Sequence, residues 1–86
     1  MSERDFSINA RVRRTLGRRW IRPEWLDVGT TDGVVLVKGP LEVEPGFREP
    51  FDRERLIRQL RSDLQEIPGV VDVVLEFRTA QGEANQ

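Results

Sequence analysis

Histidine, cysteine and tyrosine are absent from this chain, and lysine occurs once, at Lys38. Those gaps remove the usual general acid–bases, the thiolate and phenolate nucleophiles, disulfides and zinc–thiolate sites together. Catalysis is therefore not expected, and no cofactor is implied. Apolar runs stay far below the eighteen or so residues that a membrane-spanning helix needs. The opening MSERDFSINARVRR has no apolar segment of the secretory kind, so the expected location is cytoplasmic; a trimmed periplasmic form would read the same.

What remains is 86 residues, 37% apolar and 34% charged, enough for one thin-cored domain of two layers. The net charge is only −1, but its sign is unevenly spread. Residues 1–23 hold seven arginines against Glu3 and Asp5, whereas the rest of the chain carries a net −6. A basic end on a near-neutral domain can meet phosphates. The plainer reading is a solvated helix face, with cations gathered near a helix C-terminus where the dipole favours them.

The segment Trp25 to Val43, WLDVGTTDGVVLVKGPLEV, narrows the fold most. Apolar residues alternate on both sides of Asp32-Gly33, the dipeptide of a type I′ hairpin. Centring the turn there pairs Thr31 with Val34, Val28 with Val37, and Asp27 with Lys38, a cross-strand pair of opposite charge. Leu26, Val28, Val35, Val37 and Leu41 then face inward. Trp25, Asp27, Gly29, Val34, Leu36 and Lys38 face outward, a more apolar outer face than a one-sided sheet requires.

Before the hairpin, Ile8, Val12 and Leu16 recur at helical spacing, with Asp5 or Ser7 as the expected cap and Gly17 as the expected stop. Continuing that helix would carry Arg19 onto the apolar side, a further reason to end it at Gly17. Trp20 is expected to fold back onto the core edge. After the hairpin, residues 42–52 hold two prolines, a glycine and several acids and read as a loop. Its acids, Glu42, Glu44, Glu49 and Asp52, fit no calcium-loop spacing and make a solvated connector, so no metal is expected.

Asp52 then caps a second helix, with Phe51 stapled on Leu56 and a face of Leu56, Ile57, Leu60, Leu64 and Ile67. Pro68-Gly69 ends that helix. A third strand, Val70 to Phe77, turns Val73, Leu75 and Phe77 inward and Val74 outward. The expectation is an α+β fold: an α-β-β-α-β two-layer sandwich with two helices on one face of a three-stranded mixed sheet. The domain is read over 5–78, with a flexible tail at 79–86. Whether the first strand is central or at an edge is left open.

The element order, the hairpin residues Val28, Asp32-Gly33-Val34-Val35, Val37 and Gly39, and the joint Pro68-Gly69-Val70 with Val73 together resemble a BON domain. Ile8, Val12 and Leu16 match the first helix of that family. The long 42–52 link and the single copy depart from its pattern. The resemblance implies a non-enzymatic module that associates with phospholipid or a membrane surface, or more loosely with apolar ligands and partners, and it supplies no fixed set of binding residues.

The residues themselves suggest where such a surface would lie. Arg11, Arg13, Arg14, Arg18, Arg19 and Arg22 cluster around Trp20, and each basic residue beside an anionic membrane is worth about 1 kcal/mol. Tryptophan favours the headgroup level. A homodimer or protein partner docking on Trp25, Val34, Leu36 and Val74 is the alternative. Nucleic acid could use the same arginines, but the chain offers no clamp loop, no aromatic pair on a strand and no helix-turn-helix spacing, which argues against it.

Overall fold

The computed structural model describes residues 2–43 and 52–78. The order is α1 (Glu3–Arg18), β1 (Asp27–Thr31), β2 (Val34–Pro40), α2 (Arg53–Gln65) and β3 (Asp72–Arg78). The sheet order is β1-β2-β3, with β1 antiparallel and β3 parallel to β2, so β2 is central and β1 lies at an edge. The expected hairpin register is the observed one: Asp27 opposite Lys38, Val28 opposite Val37, Thr31 opposite Val34. Asp32 (φ 51°) and Gly33 (φ 82°) take the two left-handed positions of a type I′ turn.

Alternation places Val28, Val35, Val37 and Val73 on one sheet face, buried against Ile8, Val12 and Leu16 of α1 and Leu60 and Leu64 of α2. Leu26, Ile21, Leu41 and Ile67 close the ends of that core. Both helices therefore share one side, and the other side of the sheet faces solvent. The open edge of β3 is partly covered: Arg61 Nη1 donates to Val73 O at 2.8 Å and Arg53 Nη2 to Phe77 O at 3.1 Å. Two guanidinium groups from α2 thus occupy edge carbonyls that could otherwise recruit a further strand.

The first helix differs from expectation at both ends. Ser2, rather than Asp5 or Ser7, is the N-cap, its Oγ accepting from Asp5 N at 3.1 Å. Asp5 is freed for a distant task. The residue is 3% exposed, and its carboxylate accepts from Asp32 N at 3.0 Å and Gly33 N at 3.1 Å, so α1 grips the hairpin turn directly. At the other end the helix continues past Gly17. Trp20 N donates to Gly17 O at 3.0 Å and Ile21 N to Leu16 O at 3.1 Å, the two bonds of a Schellman motif. The left-handed C′ position belongs to Trp20 (φ 63°), a place glycine usually fills. Ile21 and Leu16, the residues such a motif brings together, are both essentially fully buried. Ile21 thereby takes the core-edge position expected of Trp20.

Asp52 caps α2 as expected, its Oδ1 accepting from Arg55 N at 3.1 Å. The staple from Phe51, the acids Glu44 and Glu49, and the tail from Thr79 lie outside the described residues. The last strand starts later than Val70: Val71 N instead bonds Gly33 O at 2.8 Å, and Val71 itself is exposed. No helix among the described residues is long and apolar enough to cross a membrane.

Candidate functional site

At about 100° per residue, Arg11, Arg14 and Arg18 fall within roughly 60° of one another around α1. All three are exposed, and together they form one wall of a groove of about 280 Å³. The second wall is the end of α2 and the turn after it: Asp63, Glu66, Ile67 and Pro68. Thr15 lies between the arginines, its hydroxyl donating to Arg11 O at 2.9 Å, so it supplies packing rather than a free donor.

Arg19 belongs to a different structure. Its Nε donates to Asp63 Oδ2 at 2.7 Å and its Nη1 to Gln59 Oε1 at 3.0 Å, lacing the end of α1 to α2. The hydrogen bond to Asp63 raises the guanidinium pKa, partial burial lowers it, and the charge of Asp63 adds to the rise. About a third of each partner remains in water, so the pair contributes at most about 1 kcal/mol. It also neutralises Asp63. Arg22 bonds Glu24 through Nη2 at 3.1 Å and Nε at 3.3 Å. Glu24's own backbone amide, and then Arg22, hold that carboxyl below its ordinary pKa.

The seven residues expected to make a basic surface thus divide. Arg11, Arg14 and Arg18 come together in the groove, without an ion pair among the described residues. Arg13 is exposed but lies about 160° round the helix from Arg11, on the opposite flank. Arg19 and Arg22 are engaged with carboxylates. Trp20 stands just beyond the helix end, 56% exposed.

The outer sheet face divides as well. Leu36 is the register partner of Val74, and with Val34 they form a short apolar strip. The next row, Asp27–Lys38–Glu76, is charged, although none of its side chains closes an ion pair among the described residues. That row separates the strip from Trp25, which borders a shallow hollow with Gly39, Phe77 and Arg78.

Asp63 and Glu66 are the charged groove residues that sequence reasoning missed. A signal for them existed. Asp63 and Glu66 lie at the C-terminal end of α2, where the dipole disfavours anions, and no basic residue occupies the last turn. Carboxylates at the wrong end of a helix call for a tertiary partner; Asp63 has one in Arg19, while Glu66 lines the groove with the arginines of α1 without closing an ion pair among the described residues. No group of three potential metal-ligating side chains occurs among the described residues. Comparison with family models, with curated proteins and with solved structures finds no match.

Proposed function

We propose that this chain is a non-enzymatic binding module of the BON kind that associates peripherally with anionic phospholipid through α1. The observation that carries the reading is the set of three arginines, Arg11, Arg14 and Arg18, gathered on one groove without carboxylate partners among the described residues. Trp20 supports it. A bulky aromatic in a left-handed position costs about 1–2 kcal/mol relative to glycine, and here more than half of its surface remains in water. Backbone strain of this sort often marks a functional position.

Co-sedimentation tests the reading. The protein should pellet with phosphatidylglycerol vesicles at low salt, release as salt rises, and ignore phosphatidylcholine vesicles. Arg14→Glu with Arg18→Glu should weaken pelleting at least about thirty-fold, at about 1 kcal/mol for each lost cation. Trp20→Gly should also weaken it while leaving thermal stability equal or higher. Equal binding to phosphatidylcholine vesicles, or indifference to the double charge reversal, defeats the proposal.

The outer sheet face supports a second reading, homo-oligomerisation or docking of a protein partner on Val34, Leu36 and Val74. It ranks lower on size. A stable interface buries about 800 Å² per partner, and a strip of three half-exposed aliphatic side chains ending at a charged row falls well short. Sedimentation equilibrium at high concentration should give a monomer, with Leu36→Lys changing nothing. A dimer dissolved by that substitution would reverse the ranking.

A further inference from the structure

The groove has two walls of opposite sign that do not close on each other. Arg11, Arg14 and Arg18 line one side and Glu66 the other, yet no ion pair spans the gap. Ile67 and Pro68 add apolar lining beside Glu66. A simple anion would satisfy only one wall and would leave a carboxylate beside it.

We infer that the groove takes a phosphorylated primary amino alcohol, the chemistry of a phosphoethanolamine headgroup. The phosphate would sit among the three guanidinium groups, which match its oxygens in charge and in fork geometry. Its two methylenes would cross Ile67 and Pro68, and the ammonium would reach Glu66. Asp63 is already paired with Arg19, so Glu66 is the carboxylate left to receive the cation. A quaternary ammonium such as choline is recognised by an aromatic cage, and no aromatic among the described residues lines this groove. At about 280 Å³ the space lies just below the roughly 300–1,000 Å³ of pockets for drug-sized ligands, which suits a headgroup. The inference rests on the phospholipid reading above and adds a zwitterionic headgroup to the anionic surface proposed there.

The test is chemical-shift titration of the full chain with O-phosphoethanolamine, ethyl phosphate and phosphocholine in parallel. Net charge alone favours ethyl phosphate, the stronger anion at neutral pH. The groove instead predicts that O-phosphoethanolamine binds three- to five-fold more tightly than either competitor, the range one exposed ion pair can supply. The shifts should centre on Arg11, Arg14, Arg18 and Glu66. In Glu66→Gln, a change at an exposed helix end, O-phosphoethanolamine should lose that advantage. Ethyl phosphate or phosphocholine binding as tightly to the native protein, no saturable binding, or shifts centred elsewhere overturns the inference.

Two neutral vesicle preparations identify the source of the headgroup. Pelleting with phosphatidylethanolamine–phosphatidylcholine vesicles but not with phosphatidylcholine alone marks a membrane ligand. Solution binding without such pelleting marks a soluble phosphoamine and keeps the groove chemistry. Native protein on phosphatidylglycerol vesicles separates the two proposals. Pelleting there without headgroup preference in solution removes only the inference, whereas headgroup preference without pelleting on phosphatidylglycerol removes only the anionic-surface reading.

Discussion

Gly33→Ala should cost about 3 kcal/mol or more, roughly half of what a domain of this size has to lose. Two independent effects act at this position. With φ at 82°, an added Cβ meets the steric penalty of the left-handed region, about 1–2 kcal/mol. That Cβ would also lie 2.7 Å from Gly69 O and 2.9 Å from Val71 Cγ2. Gly69 O is backbone, in the turn between α2 and β3, and cannot swing aside as a flexible side chain could. Any retreat disturbs Val71 N→Gly33 O at 2.8 Å and the bond from Gly33 N to Asp5. Gly17 supplies the contrast. Nothing lies within 4 Å of a Cβ built there, and the residue sits in the last helical turn with no need of positive φ. Gly17→Ala should therefore stabilise by about 0.5–1 kcal/mol. Paired thermal melts check both signs. A neutral Gly33→Ala would mean that the turn gives way more easily than its neighbours indicate.

The contrast between these glycines shows what the sequence could and could not disclose. The hairpin was legible to the residue because strand alternation has period two and Asp-Gly admits one turn geometry, so pattern and turn chemistry agreed. The two apolar helix faces and the mixed sheet followed from similar local periodicities. Gly17 reads as a helix stop because a glycine after an apolar stripe usually is one. Here the stop is fixed by Ile21 burying against Leu16, a tertiary contact that overrides the preference and forces Trp20 through positive φ. The same limit applies to the site. The arginines of α1 were visible as a cluster, but which of them share a surface depends on how α1 lies against α2. Asp63 and Glu66 are more than forty positions beyond those arginines, and no local pattern joins the two groups.

Asp5→Asn should lower the melting temperature at neutral pH by on the order of 10 °C, although the change keeps size and shape. Both carboxylate oxygens accept from main-chain amides, Oδ2 from Asp32 N and Oδ1 from Gly33 N, inside a buried contact. An asparagine offers one acceptor and sets an N–H against an N–H at the other position, leaving a buried donor unsatisfied. The charge of the group also dictates a pH signature. Burial alone would raise the Asp5 pKa, but the Asp32 and Gly33 amides and the contacts with Ser2 more than offset it, and the net shift is downward. A carboxyl bound more tightly in its ionised form stabilises the fold fully above its unfolded value of about 3.9. That contribution fades as pH falls through the lower folded-state value. The gap in melting temperature between the native protein and Asp5→Asn should thus stay constant from pH 7 to about 5 and narrow below pH 4. Other carboxylates, Glu24 among them, add their own acid sensitivity to both proteins alike and cancel in the difference. A gap that persists undiminished at pH 2.5 would assign the effect of the substitution to packing, and the ionised Asp5 would no longer be the clamp that joins α1 to the hairpin turn.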